Sequence, residues 1–329
     1  MVQLTSFEPS GVLWLYKFKT GTAPEALDAI PDLPQSSPHD VWYWVHFASA
    51  HEQSRAAIRA IPSLTEDAVE SLIHQDGGLR IDVDDRVIYG AIADYERDLS
   101  GRTKDTAKLF FALTDNLFIT IRRRALYSTD HVRRMFDRGQ YPSSPSDLLE
   151  MIVSRFTHVA HHDVIDLTDT LDDIEDRVLR PEVNDDRTRL IPIRSLAVRL
   201  YRQVSAMRIA FARFESASMP MPLGFQDVAA SLARELESLD HDTQLLQDRA
   251  RLLQDEMAAK TDSAINDSLR VLSILTSLFL PPTLIAGLFG MNVKDLPFLE
   301  TPGGFWYALA LCMGSSVSAY LLMKKLDIA

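Results

Sequence analysis

The chain has 329 residues, 46% of them apolar, and a formal charge of −12, enough to build one sizeable soluble domain and a membrane part besides. That acidic balance excludes a nucleic acid as the main partner. A single cysteine, Cys312, excludes a disulfide framework or a thiolate metal site within one chain.

From Met1 to Thr20 no charged segment is followed by an apolar core, so no secretory signal is expected and the N-terminus is expected in the cytoplasm. Between Gly11 and Tyr141 the pattern is mixed α/β. Short β-rich runs occur at Gly11–Phe18, Val41–Phe47, Val87–Ala93, Leu109–Leu113 and Leu117–Ile121, and helices are predicted over His51–Ala60 and Thr65–Ile73. Asp76-Gly77-Gly78 and Asp98-Leu99-Ser100-Gly101 mark turns. Trp42, Tyr43 and Trp44 fit a sheet core better than a ligand box. Arg122-Arg123-Arg124 and Arg133-Arg134 form a basic cluster, expected to pair with the acidic helices that follow rather than to bind an anion.

Tyr141-Pro-Ser-Ser-Pro-Ser-Asp147 closes this first region, taken as residues 1–145. Asp147 with Glu150 reads as a capping box for a helix ending near Leu179, before Pro181. A second helix is predicted from Asp186 to Ser216, and Met219-Pro-Met-Pro-Leu-Gly224 ends the pair, residues 146–224. Asp169, Asp172, Asp173, Glu175 and Asp176 make a charge-dense face, read as solvated in preference to cation-attracting. His158, His161 and His162, beside Asp163, have a spacing compatible with zinc. Adjacent His161 and His162 point apart on a helix, however, so a partly exposed polar face is the preferred reading over a metal site.

From Phe225 one helix is predicted to run on without a break. Alternating steps of four and three from Leu232 reach Leu236, Leu239, Thr243, Leu246, Ala250, Leu253 and Met257, a coiled-coil seam that asks for partner helices. The same register then meets Lys260, Ala264 and Asp267, so the stalk, residues 225–270, turns polar and suggests a wet vestibule. Val271 to Phe289 carries no charge and has about the length of a bilayer core. A second uncharged run, Phe305 to Met323, ends in Lys324-Lys325. The resulting division is a first span at 271–290, a loop at 291–304, a second span at 305–323 and a basic tail at 324–329. Both spans must be helical, because backbone polar groups in hydrocarbon need partners within their own segment. Arg270 and Lys324-Lys325 flank the hairpin, whereas its loop sets only Lys294 against Asp295 and Glu300. The positive-inside bias places both termini in the cytoplasm and the loop outside. Within the first span Thr276, Thr283 and Gly287 share a stripe with Leu269, Leu272 and Leu280. Small and hydroxyl side chains in such a stripe mean either close helix packing or a water-filled path. Pro281-Pro282 frees carbonyls in mid-span.

Gly290-Met291-Asn292 stands where the first span runs out. A penultimate span ending in Gly-Met-Asn, a short outer loop, a last span and a basic tail resemble the CorA family of divalent-metal transporters. The basic cluster after a strand is similar to that of the family's zinc-transporting, ZntB-like branch. The resemblance implies an α+β membrane protein. It would have an N-terminal cytoplasmic α/β domain, a long helical stalk continuous with the first of two C-terminal transmembrane helices, and a homopentameric funnel in the inner (plasma) membrane.

The resemblance also implies site residues. Gly290, Met291 and Asn292 would form a selectivity filter, and Asn266, Leu269, Leu272, Thr276, Leu280, Thr283 and Gly287 would line the pore. Oxygen rings from Asn292, Thr283, Thr276 and Asn266 suit a hydrated divalent cation, and Leu280, Leu272 and Leu269 suit apolar constrictions. Met291 would hold the turn. Attraction would come from Asp295 and Glu300 outside and from Asp262 and Asp267 inside. Magnesium-transporting members carry an acidic residue two positions beyond the Asn and a Met-Pro-Glu-Leu stretch. Here Lys294 and Leu296-Pro297-Phe298-Leu299 stand instead, which favours Zn2+ as cargo over Mg2+, with Co2+, Ni2+ and Cd2+ also passing. Asp255 occupies the stalk position of a regulatory metal site in the magnesium channels, where the plain alternative is a solvent-facing aspartate. No cofactor is expected. The rival readings are a magnesium/cobalt channel of the same family and a membrane-anchored regulatory or scaffold protein. The anchor leaves the stripe and the tripeptide unexplained. An enzyme is set aside because no nucleophile–base pair or phosphate-binding glycine loop stands out.

Overall fold

A computed structural model describes residues 11–19, 22–31, 41–49, 52–98, 101–178, 187–291 and 303–325. Its contacts divide into two compact units, Met1–Arg251 and Leu252–Ala329.

The first unit is built on a seven-stranded sheet in the order β2-β1-β3-β7-β6-β5-β4. The strands are β1 (Val12–Lys19), β2 (Glu25–Ala26), β3 (Val41–Ala48), β4 (Ile81–Asp84), β5 (Val87–Asp98), β6 (Gly101–Leu113) and β7 (Leu117–Arg122). All neighbours are antiparallel except β3 and β7, which pair in parallel with Tyr43 opposite Leu117. The period of two along β3 shows how the sheet sorts its side chains. Val45 and Phe47 join a core with Ile58 of α1 (Glu52–Arg59) and Leu72 of α2 (Glu66–His74). Trp42, Trp44 and His46 project from the opposite face, where Phe136 meets Trp44 edge-on. Trp42 and Trp44 are thus sheet core, as their setting in an apolar run suggests.

On that opposite face lie α3 (Tyr127–Met135), α4 (Pro145–Val178) and α5 (Arg187–Ala212). Tyr95 of β5 packs on Phe156 of α4, with ring centroids 5.4 Å apart. The amide of Ala93 points at the Met207 sulfur of α5, 3.3 Å away. Helix α3 is absent from the sequence reading, and its N-terminus shows why. Its N-cap is Leu126, which makes no side-chain cap bond. Asp94 of β5 caps it instead, accepting from the Ser128 amide (2.9 Å), the Thr129 amide (3.0 Å) and the Thr129 hydroxyl (2.9 Å). Four N-terminal amides need acceptors, and here they come from a residue distant in sequence. Burial raises the pKa of Asp94 above the carboxylate norm, against the lowering effect of those bonds.

The expected capping box on α4 is shifted. Pro145 opens the helix, and Ser144 is the capping residue, its hydroxyl accepting from the Asp147 amide at 3.1 Å. Asp147 returns the bond to the Ser143 amide at 3.1 Å. A proline at the first helical position is pre-set in φ and has no amide to satisfy, so the box forms three residues earlier than Asp147–Glu150.

The arginine cluster pairs close to home, in part with the helix that follows it. Arg122 and Arg97 both hold Asp130 of α3, at 3.0 and 2.8 Å. Arg124 holds Glu96 at 2.8 Å. Arg123 donates to the Gln75 side chain and the His74 carbonyl, closing the C-terminus of α2, where Gln75 takes φ 54°.

Helix α6 spans Phe225–Phe289. Every member of the seam from Leu232 to Met257 is buried within this one chain. Thr243 among them donates its hydroxyl to the Leu239 carbonyl at 2.8 Å. Ion pairs tie this part of α6 to its neighbours. Arg249 bridges Asp172 (2.6 Å) and Glu175 (2.8 Å) of α4, and Arg208 of α5 holds Asp240 at 3.0 Å. The partner helices that the seam asks for thus include α4 and α5 of the same chain. The second unit adds α7 (Gly304–Lys325). The final stretch of α6 and all of α7 are long and apolar enough to cross a membrane.

Candidate functional site

The second unit sorts its side chains by face. On the last five turns of α6 the partly shielded residues are Ile274, Leu278, Pro281, Pro282, Ile285 and Phe289, one side of the helix. On α7 the shielded row is Gly304, Ala308, Cys312, Ser315, Ser316, Ala319 and Met323. Large residues on one helix thus meet a row of small ones on the other, the packing that apolar surroundings favour. Polar contacts cross the seam. Ser316 Oγ donates to the Leu278 carbonyl at 3.3 Å, and Cys312 Sγ lies 3.6 Å from the Pro282 carbonyl. Sequence reasoning missed both; Pro281-Pro282 with the Cys312 thiol and the Ser315 and Ser316 hydroxyls in the other span was the available signal.

The stripe faces away from that seam. Asn266, Leu269, Leu272, Thr276, Leu280, Thr283 and Gly287 are all exposed. Thr276, Leu280, Thr283 and Gly287 line a shallow cavity of about 650 Å³ that continues to Met291. Thr276 and Thr283 donate their hydroxyls to the carbonyls of Leu272 (2.8 Å) and Phe279 (2.6 Å). Each hydroxyl proton is spent on the helix, so the oxygen lone pairs turn outward as acceptors, the polarity a cation needs. The stripe does not pack against α7.

Helix α6 ends at Phe289, and the Gly290 amide still reaches the Ala286 carbonyl at 2.9 Å. A Cβ on Gly290 would stand 3.1 Å from that carbonyl oxygen, so glycine eases the close of the helix at the first residue of the tripeptide. Met291 is exposed. Asn292, Asp295 and Glu300 lie outside the described residues. Phe305, Trp306 and Tyr307 sit exposed at the start of α7, and Lys324-Lys325 are at its end, the residue types that anchor a helix at membrane interfaces.

The other metal candidates stay apart. His158, His161 and His162 are exposed while Asp163 is buried. His162 Nδ1 faces Asp166 at 3.3 Å and His161 Nδ1 faces Asp242 at 3.8 Å. Among the described residues no group of three His, Cys, Asp or Glu side chains is placed to hold a metal ion. The helix turns the adjacent imidazoles of His161 and His162 toward different carboxylates. Asp255 is likewise exposed. A different histidine, His46, is fully buried. It stacks on Trp14 with centroids 4.0 Å apart and contacts Thr120 Oγ1 through Nδ1 at 2.7 Å. Burial, then the charges of Arg122 and Arg133, hold its pKa well below the usual 6.5.

Comparison with known proteins agrees with this layout. Residues 39–325 match the family described as CorA-like Mg2+ transporter protein. The zinc transport protein ZntB of Yersinia enterocolitica is 26% identical over 80% of each chain. ZntB of Pectobacterium atrosepticum is 30% identical over 59% of each chain. Among solved structures, full-length CmaX superposes with a TM-score of 0.78 at 20% identity, covering 98% of this chain and 99% of that one. The CorA magnesium transporter of Methanocaldococcus jannaschii gives 0.72 at 16% identity, covering 94% and 97%.

Proposed function

We propose a function from one premise: the chain belongs to the CorA-like Mg2+ transporter family. It is a divalent cation transporter of the inner membrane, and its cargo is Zn2+, moving as a hydrated ion. The observation that carries this reading is the open face of α6. Hydroxyl oxygens at Thr276 and Thr283 alternate with Leu272 and Leu280 on the side that α7 leaves uncovered, and the face ends at the Gly290 tripeptide. Two spans cannot enclose water, so several copies must turn this face toward a common axis; five copies form the funnel, with both termini in the cytoplasm. Neutral oxygen rings hold a divalent ion loosely and through its waters. A dehydrated soft-metal site would need thiolate or imidazole rings, and the stripe has neither. Gly290, Met291 and Asn292 form the outer filter, with Asp295 and Glu300 attracting cations to it.

Zinc is preferred because the relatives named above as ZntB are described as zinc transport proteins and because Lys294 follows the tripeptide closely. A second reading, magnesium with cobalt, takes its support from the family description itself. Reconstitution into liposomes loaded with a zinc-sensitive or a magnesium-sensitive dye tests both. Zinc-dependent signal is expected. Signal with magnesium alone would select the second reading, and no flux of either ion would reject transport. Native mass spectrometry of the reconstituted protein is expected to give five copies, and a stable monomer or dimer under transporting conditions would reject the funnel.

A further inference from the structure

Two consecutive prolines, Pro281 and Pro282, lie inside α6. A proline has no amide hydrogen, so the carbonyls one turn earlier, those of Ser277 and Leu278, lose their usual helical donors. In hydrocarbon there is no water to replace them. The Leu278 carbonyl has found a substitute on the other span, the hydroxyl of Ser316 at 3.3 Å. Cys312, one turn earlier on α7, brings its thiol to 3.6 Å from the Pro282 carbonyl. Both donors belong to the small-residue row of α7, which lets the two backbones approach closely enough for a short side chain to reach.

The weakened stretch of ladder has a position that matters. It lies between Thr276 and Thr283, whose hydroxyls are bonded back to Leu272 and Phe279. Any change of bend at Pro281-Pro282 alters how these two oxygens line up on the open face. We infer that Ser316 is a positioning residue: its hydroxyl stands in for the amide that Pro282 lacks, and through that bond α7 sets the alignment of Thr276 with Thr283. The link to flux rests on the transport reading above, whereas the bond itself does not.

The experiment is a double-mutant cycle in the full-length protein, read by zinc flux in liposomes and by melting temperature in detergent. Ser316→Ala is expected to lower flux about three- to tenfold and the melting temperature by about 1–3 °C, the scale of one interhelical hydrogen bond. Pro282→Ala restores an amide donor to the Leu278 carbonyl. In that background Ser316→Ala is therefore expected to change neither reading. Equal losses in both backgrounds, or no loss in the unmodified one, would overturn the inference. An isosteric pair gives an answer that does not need Pro282→Ala to assemble. Ser316→Thr keeps the hydroxyl and is expected to retain flux and melting temperature, while Ser316→Val loses both. Thr and Val behaving alike would also overturn it. If the unmodified protein moves no cation, the transport reading fails, and the melting-temperature cycle still decides the bond.

Discussion

The two halves of α6 obey opposite rules. From Leu232 to Met257 the apolar seam is buried throughout, and its one hydroxyl, on Thr243, is satisfied by the Leu239 carbonyl. From Asn266 to Gly287 the stripe is exposed throughout, leucines included. The first half is finished within its own chain, held to α4 and α5 by Arg249 and Arg208. From Ile274 onward the second half has one side against α7 and one side open, and between Asp262 and Ser273 it is exposed all round. A periodic stripe on a helix therefore states that something must cover it, and only the neighbours decide whether the same chain does. For the first half the sequence pattern alone would have counted the seam as evidence for oligomers. In the second half Leu280 lies uncovered between the hydroxyls of Thr276 and Thr283.

Substitutions test this contrast, beginning with the largest effect. Asn292→Ala is expected to reduce cation flux to background while the oligomer stays assembled by native mass spectrometry. Normal flux in that variant would remove the filter from the end of the stripe. In the buried half, Leu236→Ala is expected to destabilise by about 2–5 kcal/mol, read by thermal unfolding, because Leu236 has 0% exposure. In the open half, Leu280→Ala is expected to leave the melting temperature within about 2 °C and to change flux instead. If the two variants lose stability equally, the halves do not differ as described.

Thr283→Val removes an outward oxygen but keeps the shape, and a few-fold slowing of flux is expected with unchanged assembly. The smallest effect concerns the soluble unit alone. His46 is buried with its pKa held well below 6.5, so the folded state keeps it neutral where the unfolded chain would bind a proton. Its contribution to stability is therefore present above about pH 6.5 and is lost as pH falls through that value toward the folded pKa. Unfolding midpoints measured between pH 7.5 and 5 are expected to decline, and His46→Gln is expected to flatten that decline. An unchanged slope would show that His46 does not titrate with unfolding.

Much of this architecture is carried by local pattern. The uncharged runs, the flanking cations, the seam register and the tripeptide are properties of neighbours in sequence, and α1, α2, α4, α5, β1, β3 and β7 lie within a few residues of their periodic signals, whereas β5 and β6 run well beyond theirs, to Asp98 and from Gly101. The candidate site was legible for the same reason: the residues of an open helix face recur at helical spacing. What was not legible depends on pairs far apart in the chain. Helix α3 starts at an apolar Leu126 because Asp94 supplies its cap across 34 residues. The parallel pairing of β3 with β7 joins segments separated by the whole of α1, α2 and three strands. The strongly lowered pKa of His46 follows from its burial and from two arginines that reach it from β7 and α3. The open side of α6 follows from where Ser316 and Cys312 dock. Sequence by itself determined which surfaces must leave water, since hydropathy and periodicity are written residue by residue. Tertiary structure decided what covers each of them, because a buried polar group or a freed carbonyl takes whichever partner the fold brings within bonding distance.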